Sequence, residues 1–309
     1  MIFGKSVEMR LRPSADTVAA NRADISMSHK STEPFLRLDE EKRVEFTALQ
    51  SFMLRSTVPI MAEIVDKKPI PQGTGTLFRL NERHFIVTAK HIFKSDYDSL
   101  SSLAIPDGLT GTSFTRIIDA QYTRPSADAF DVAVVEITNR DSVEAIKHNW
   151  NFLTLDNVQF DPPRTPVWIV GFPEDADWLD QTKPFMIKSI TVVTELLTTV
   201  PPDAEPPVHI GLDLFFLYDK HAHVLDRGLE PTPELFGVSG ASIWELSGQP
   251  QNGELWLPEK FAKAVAVQSS FRHSKYIRGK SWLAVAKMLA KMDDELKTVI
   301  FEKTGIIRD

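Results

Sequence analysis

The sequence predicts an all-β protein with an α-helix near each end, and three observations support this. Between residues 58 and 138, and again between 165 and 271, short runs of β-branched and aromatic residues alternate with turn formers and polar segments. No run in the first of these regions has the spacing of a long amphipathic helix. Apolar residues near the C-terminus, in contrast, are spaced three and four apart, which is the helical period. Many short strands of this kind are typical of a barrel or a sandwich.

Residues 1–57 are expected to form an extension that precedes the β-rich region. Residues 1–35 are polar and aperiodic, which predicts a mobile or loosely docked arm. Residues 38–54 begin with Asp39 in the N-cap position and acidic residues in the first turn. This pattern predicts a short helix within the extension.

Two β-rich halves follow, residues 58–150 and 151–280. In the first, the strand candidates are VPIMAEIVD, GTGTLFRL, HFIVTAKHIF, FTRIIDAQY and DVAVVEIT; in the second they are TPVWIVGFP, FMIKSITVVTELL, VHIGLDLFFLY, GASIWEL and FAKAVAVQSSF. The polar segment 139–151 between them predicts a helical turn or a linker. Residues 281–309 are expected to form one terminal helix packed on the β-structure, with an apolar stripe that consists of Trp282, Val285, Leu289, Met292, Leu296 and Val299.

The composition excludes several classes of function. The 309 residues carry a net charge of −7, which disfavours binding to nucleic-acid phosphates. No apolar run approaches the roughly 20 residues that span a bilayer, and the first 24 residues lack the apolar core of a secretory signal. The chain contains no cysteine, so disulfides, thiolate chemistry and zinc sites that need Cys are excluded. We therefore expect a cytoplasmic protein with neither a nucleic-acid nor a membrane partner.

Residues 84–94, HFIVTAKHIFK, are a strand candidate that ends by presenting a histidine. A strand that leaves the core more often ends in Gly, Asn or Asp. His91 is therefore either a rim or core histidine without a special role, or a side chain that the strand holds in place. A histidine that acts as a general base needs a group to activate and an acceptor that orients its ring.

An aspartate lies at a position that suits such an acceptor. Asp131 comes directly before the apolar run 132–135 in ADAFDVAVVEI. Taken alone, it is more readily explained as a turn residue, because Asp is a common turn former. Asp128 lies in the loop PSADAF and is the weaker candidate.

A serine flanked by glycines lies in ELFGVSGASIWEL. Ser239 is preceded by Gly237 and followed by Gly240, and a strand candidate comes next. Glycines let the backbone turn sharply and approach a ligand closely. They also let two backbone N–H groups point at one place, which an oxyanion hole requires. By itself this short pattern is weak, since such turns occur by chance.

In combination, the three motifs resemble those of the chymotrypsin-like (trypsin-like) serine peptidases. The segments GTGTLFRLNERHFIVTAKHI, FDVAVVEI and GVSGASIW are similar, in the same order, to the family segments around the catalytic His, Asp and Ser. KAVAVQSSF resembles the strand that lines the substrate cleft in that family. The resemblance covers roughly residues 58–295, and the absence of cysteine makes the chain more similar to bacterial-type members than to secreted animal ones.

This resemblance implies two antiparallel six-stranded β-barrels with an active site between them. It implies that Ser239 is the nucleophile that forms an acyl-enzyme, that His91 is the general base and then the general acid, and that Asp131 orients His91. The N–H groups of Gly237 and Ser239 would form the oxyanion hole. The substrate would be a protein or peptide, and neither a cofactor nor a metal would be needed.

The resemblance also assigns a substrate-binding region. By position, Pro233 lies at the base of the specificity pocket, with Glu234 beside it, and Ser269, Ser270 and Phe271 lie on the strand that lines the cleft. Ser269 matches a serine whose hydroxyl lies near the orienting acid. A proline at the base of the pocket does not support a strict preference for Lys or Arg, so a small or apolar side chain is expected.

Four residues depart from the family pattern. Lys90 replaces a small residue before the histidine and must either point away from the cleft or lie near it as a second cation. Val238 replaces an acid or amide, so the salt bridge that activates secreted members cannot form. Ala241 and Ser242 replace a glycine or serine and a proline. None of these changes removes a catalytic group, but they leave open whether the oxyanion hole is formed at rest.

A cytoplasmic peptidase must be restrained, so we expect a regulatory element or a regulatory protein partner. The extension 1–57 and the long insert 199–235 are the candidates, the insert because it is placed to cover or gate the cleft. Both are candidates by position alone.

Three other interpretations stay open from the sequence. An α/β-hydrolase would place its motif residues in the order Ser, acid, His, which this chain does not follow. A metal site could use His221 and His223 with Asp213, Asp219 and Asp226, although a polar surface loop is the preferred explanation of this segment. Finally, a barrel of this type that no longer cuts could act as a protein-binding module.

Overall fold

The computed structural model describes residues 7–11, 40–62, 70–93, 103–111, 113–117, 120–123, 130–174, 185–186, 188–224, 228–246 and 256–305. Within these ranges the chain forms two curled, mainly antiparallel sheets with a helix near each end, which confirms the predicted fold class.

The described strands, in chain order, are β1 (Val7–Leu11), β2 (Thr57–Ala62), β3 (Ile70–Leu80), β4 (Arg83–Thr88), β5 (Leu103–Pro106), β6 (Thr110–Gly111), β7 (Phe114–Arg116), β8 (Ala120–Thr123), β9 (Ala133–Ile137), β10 (Val167–Gly171), β11 (Phe185–Met186), β12 (Ile190–Thr194), β13 (Asp213–Leu217), β14 (His221–Val224), β15 (Gly228–Pro231), β16 (Ser242–Leu246), β17 (Ala262–Arg272) and β18 (Tyr276–Ser281). The first sheet has the order β7-β5-β2-β3-β4-β9-β8 and the second β13-β18-β17-β16-β10-β12-β1-β14-β15. Strands β6 and β11 form a separate pair.

The described α-helices, in chain order, are α1 (Glu40–Ser56), α2 (Arg140–Asn149), α3 (Pro258–Phe261), α4 (Trp282–Leu289) and α5 (Asp294–Thr304). The polar segment between the two halves is therefore a helix. Helix α2 begins after Asn139, whose side chain accepts a hydrogen bond from the Ser142 backbone N–H at 2.9 Å.

The N-terminal arm differs from the expectation. Residues 7–11 form β1, which pairs in parallel with β12 and antiparallel with β14, so this segment contributes a strand to the second sheet. The sequence VEMRL alternates apolar and polar residues, as a half-buried strand does, but five residues are a weak signal. The predicted helix is confirmed as α1, while its proposed cap Asp39 lies outside the described residues.

The terminal helix was predicted as one element and is two. Helix α4 ends at Leu289 and α5 begins after Asp293, whose carboxylate accepts a hydrogen bond from the Leu296 N–H at 2.9 Å. Asp293 is followed by two acids in the first turn of α5, which is a helix-start signal that the apolar spacing concealed. Arg83 of β4 binds the same carboxylate and so fixes the break against the first sheet.

The two sheets meet across a layer of buried hydroxyl groups beneath the candidate site. Ser242 of β16 lies 2.5 Å from the Thr76 hydroxyl of β3 and 3.5 Å from the Thr57 hydroxyl. All three residues are fully buried. Since buried hydroxyl groups are stable only when hydrogen-bonded, these contacts fix how the sheets are placed relative to one another.

Candidate active site

His91 lies beyond the end of β4 and not within a strand. The strand ends at Thr88, and Lys90–Ile92 form one turn of 3-10 helix. Ile92 is buried and anchors this turn, whereas the His91 side chain is 50% exposed. Gly73 of β3 permits the close approach, because a Cβ atom there would lie 2.8 Å from the Ile92 side chain. The turn therefore presents the imidazole at the rim of the first sheet.

Asp131 lies beside His91 because β4 and β9 are neighbouring strands. Thr88 pairs with Ala133, so the residues just beyond these strand ends meet at one edge of the sheet. The His91 backbone N–H donates to Oδ1 of Asp131 at 3.0 Å, and the ring Nδ1 lies 2.7 Å from Oδ2. A carboxylate accepts, so Nδ1 carries the proton of a neutral imidazole and Nε2 keeps its lone pair. In the described part of the chain, only His91 donates to this carboxylate.

The Ser239 loop is held closely against the first sheet. Gly237 and Gly240 have φ values of +82° and +95°, which side-chain-bearing residues rarely adopt. A Cβ atom on Gly240 would lie 1.8 Å from the Thr74 carbonyl oxygen, so only glycine fits there. Ser239 itself is half-buried, and its carbonyl accepts from the Thr74 N–H at 2.8 Å.

Among the described residues, all carbonyls of this loop accept a hydrogen bond, but two of its N–H groups have no acceptor. Every carbonyl from residue 236 to residue 240 accepts a hydrogen bond, the donors being Glu174 N, Thr74 Oγ1, Ala241 N, Thr74 N and Thr76 Oγ1 in that order. The N–H groups of Val238 and Gly240 also have backbone acceptors. Those of Gly237 and Ser239 have none among the described residues. These two free donors are the pair that the sequence assigned to an oxyanion hole.

The hydroxyl of Ser239 makes no hydrogen bond within 3.5 Å to any described residue, His91 included. The structure therefore contains the bond between the histidine and the aspartate but not one between the serine and the histidine. Catalytic hydrogen bonds are often long in a free enzyme and shorten once substrate is bound.

The predicted substrate-binding residues lie around a small aromatic cluster. Phe236 is 61% exposed, and its ring centroid lies 5.3 Å from that of Phe271. Tyr218 packs edge-on against Phe271 at 5.9 Å, and its hydroxyl donates to the carbonyl of Pro233. Burial raises the pKa of Tyr218, and the charge of Glu234 acts in the same direction. The cluster is therefore aromatic, with the phenol of Tyr218 kept neutral.

The other predicted residues of this region have different environments. Glu234 forms a partly exposed ion pair with His273, at 3.2 Å between Oε1 and Nδ1. Ser269 is buried, and its hydroxyl donates to the Arg278 carbonyl at 3.3 Å and not to Asp131. Ser270 is half-buried in β17.

The residues that depart from the family pattern fit the local packing. Val238 and Ala241 are fully buried, and a Cβ atom on Gly171 would lie 2.8–2.9 Å from both, so that glycine makes room for them. Ser242 belongs to the buried hydroxyl layer between the sheets. Lys90 begins the turn that carries His91 and is half-buried.

The insert 199–235 contributes the strands β13, β14 and β15 to the second sheet. Strand β13 pairs with β18, and β14 and β15 form a hairpin that pairs with β1. The proposed metal ligand Asp213 is fully buried and bound by Arg278 and Lys280, so its oxygens are occupied. The side chains of His223 and Asp226 lie outside the described residues. Within the described ranges, no group of three or more His, Asp or Glu residues is placed to hold a metal ion.

Sequence reasoning missed one residue of the site, Thr74. Its hydroxyl donates to the Gly237 carbonyl at 2.8 Å and accepts from the Phe172 N–H at 3.1 Å. The sequence signal was its position between two glycines in GTG, a segment that was assigned only to a strand and to the motif around His91.

Comparisons with known proteins give a likeness of fold only. No family model and no curated protein matches the chain. One similar solved structure is described as "Aromatic interactions drive the coupled folding and binding of the intrinsically disordered Sesbania mosaic virus VPg protein". It is 13% identical with a TM-score of 0.42, and the match covers 75% of this chain and 87% of that one. A scabies mite inactivated protease paralogue is also 13% identical, with a TM-score of 0.44, covering 79% and 97%. With TM-scores below 0.5, neither likeness bears on what this chain does.

In the part of the chain that the structure describes, no helix is both long and apolar enough to cross a membrane.

Proposed function

We propose that the chain is a serine endopeptidase that hydrolyses peptide bonds through an acyl-enzyme. The observation that carries the proposal is the presence of two arrangements that meet at Gly73 of β3, where a Cβ atom would lie 2.8 Å from the Ile92 side chain and 3.1 Å from the Ser239 carbonyl oxygen. His91 is bound to Asp131 through both its backbone and its ring, and the backbone N–H groups of Gly237 and Ser239 have no acceptor among the described residues. A base with a fixed tautomer, a hydroxyl nucleophile and free donors are the parts that acyl transfer needs.

The proton steps follow from the His91–Asp131 bond. With its Nδ1–H directed at Asp131, the neutral ring keeps the lone pair of Nε2 available as a base. In the proposed mechanism, Nε2 takes the hydroxyl proton as Oγ bonds to the substrate carbonyl carbon, and then gives it to the leaving amine. Water repeats the sequence to release the acid. The Asp131 carboxylate stabilises the imidazolium that forms in between.

The free N–H groups supply the electrostatic part. The carbonyl oxygen of the substrate becomes an oxyanion during attack, and donors that are already in place stabilise it without further rearrangement. Because the carbonyls around Gly237 and Ser239 are all bonded to the protein, this part of the loop has little freedom to turn its N–H groups away. We propose that the apolar cluster near Phe236 accepts an apolar substrate side chain.

A second candidate is a protein-binding module that retains the residue types but does not cut. One observation favours it, namely the absence of a hydrogen bond from the Ser239 hydroxyl among the described residues. In this alternative the cleft binds a peptide, and Ser239 is not a nucleophile.

The experiment that separates the two is labelling with a fluorophosphonate, which forms a covalent bond with an activated serine. We expect the wild type to be labelled and Ser239→Ala and His91→Ala not to be. Ser51→Ala makes the same change in α1, away from the cleft, and should be labelled like the wild type. A folded wild type that is not labelled would remove the peptidase proposal and favour the binding module.

A further inference from the structure

We propose that Thr74 is a positioning residue that holds the Ser239 loop in its donor-presenting form. This inference rests on the proposed peptidase function and extends it to a residue outside the triad. Thr74 lies on β3 of the first sheet, whereas the loop that it binds belongs to the second. It is separated from Gly237 by 163 residues in the chain.

All polar atoms of Thr74 are used, and most of them serve the loop. The side chain is fully buried. Its hydroxyl donates to the Gly237 carbonyl at 2.8 Å, and its backbone N–H donates to the Ser239 carbonyl at 2.8 Å. The hydroxyl also accepts from Phe172 N, and the carbonyl accepts from the Thr88 hydroxyl at 2.6 Å. Thr74 therefore binds the carbonyls of Gly237 and Ser239, the two residues whose N–H groups are the free donors.

The geometry of the peptide bond explains why these contacts matter. A trans peptide is planar, so its C=O and N–H point in opposite directions and holding one fixes the other. The N–H of Gly237 belongs to the peptide whose carbonyl accepts from Glu174 N at 2.7 Å. The N–H of Ser239 belongs to the peptide whose carbonyl accepts from Ala241 N at 2.8 Å. Thr74 holds the next peptide in each case, so both ends of residues 237 and 239 are fixed.

The position before the serine makes such support necessary. Val238 is apolar and fully buried, so it cannot supply an ion pair to hold the loop. In place of an ion pair, Val238 packs against the buried apolar residues of the second sheet. The hydroxyl of Thr74 binds the loop from the first sheet. The second of these contacts depends on the two sheets being correctly docked, which couples the oxyanion donors to the sheet interface.

The test uses three threonine variants and the fluorophosphonate as probe. Thr74→Val keeps the β-branched shape and removes only the hydroxyl, and Thr74→Ser restores it. Thr194→Val is the matched control, because the Thr194 hydroxyl is also buried and also donates to a carbonyl, that of Leu217, at 2.6 Å and away from the loop. Two constants are measured, the affinity of the reversible probe complex and the rate of covalent bond formation within it.

We expect Thr74→Val to slow the covalent step by about 10–100-fold, since loss of one oxyanion donor costs roughly 10²–10³-fold in a related case and a displaced donor should cost less. The affinity of the reversible complex should change less than about 3-fold, because the donors act mainly on the oxyanion that forms in the covalent step. Thr74→Ser keeps the hydroxyl that positions the donors, so it should retain most of the wild-type rate. Thr194→Val should label at the wild-type rate. A wild-type rate for Thr74→Val, or equal slowing in Thr194→Val, would overturn the proposal.

A second measurement keeps the two proposals separate. Amide hydrogen exchange of Val238 and Gly240, which are hydrogen-bonded within the loop, should accelerate about 10-fold in Thr74→Val and not in Thr194→Val. If the wild type is not labelled, the peptidase proposal fails while exchange still reports whether Thr74 holds the loop. Unchanged exchange in Thr74→Val would contradict the positioning role whatever the labelling result.

Discussion

Among the aspartates that bind basic side chains, Asp131 and Asp213 have opposite surroundings. Asp131 binds His91 at the rim of the first sheet, where the two side chains are 30% and 50% exposed. Asp213 lies in the second sheet with no exposed side-chain surface and binds both Arg278 and Lys280, which are nearly buried. It also accepts from the His209 N–H at 2.7 Å.

The difference is the one expected between a site proposed for chemistry and a site that supports the fold. A half-exposed ion pair contributes little to stability, but its histidine stays accessible from solvent. A buried carboxylate with two cations is costly to desolvate, and removing the carboxylate leaves uncompensated charges inside the protein. We therefore expect changes at Asp131 to alter activity and changes at Asp213 to alter stability.

The largest expected effect is on activity, at Asp131. Asp131→Asn should slow fluorophosphonate labelling by about 10⁴-fold, because an amide favours the wrong tautomer of His91, as in a well-studied triad. The free energy of unfolding should fall by less than about 1 kcal/mol, since the pair is partly exposed. Labelling kinetics and urea unfolding measure the two quantities. If Asp131→Asn lost much of its unfolding free energy but was labelled at the wild-type rate while folded, Asp131 would have a role in stability and not in activity.

The next effect is on stability, at Asp213. Asp213→Asn should lower the free energy of unfolding by about 3–5 kcal/mol, because Arg278 and Lys280 lose their buried counter-charge. Asp219→Asn is a suitable control, since burial raises the pKa of Asp219 and no described cation is bound to it. Urea unfolding should show little change for the control. Equal losses of unfolding free energy in Asp213→Asn and Asp219→Asn would indicate that the pairing of Asp213 with Arg278 and Lys280 has no special role in stability.

The smallest effect is the acid dependence of stability. Burial opposes ionisation of Asp213, but hydrogen bonds from Arg278 and Lys280 outweigh it and lower its pKa below the ordinary value. A lowered pKa gives stability that is fully present above the unfolded-state pKa, about 3.9, and is lost as the pH falls through the folded-state value. The difference in unfolding free energy between wild type and Asp213→Asn should therefore narrow below about pH 4.

The comparison with the variant is needed because another group also responds to acid. Burial lowers the pKa of His84, so its protonation favours the unfolded state as the pH falls below its ordinary value. Both proteins contain His84, and its contribution cancels in the difference. A gap that stays constant from pH 7 to pH 3 would contradict the lowered pKa of Asp213.

The surroundings of Asp131 and Asp213 also show where prediction from the sequence succeeded and where it failed. The strands that carry the dyad were predictable, since HFIV and AVVEI are apolar and their pairing brings His91 and Asp131 together. Strand β18, YIRGKS, was missed because it contains Arg278 and Lys280, and charged residues are almost never fully buried unless paired. Their partner Asp213 lies 65 and 67 residues away, which no local pattern reveals.

The sequence by itself determined the all-β class, the helix near each end, and the three motifs in their order, because strand and turn preferences are local properties of the chain. The tertiary structure decided the break between α4 and α5, the use of residues 7–11 as a strand, and the partners of the buried polar groups. Only the docked sheets show that Thr74 holds the Ser239 loop. Such contacts depend on strand register and on how two sheets meet, and these are set by the packing of the whole chain.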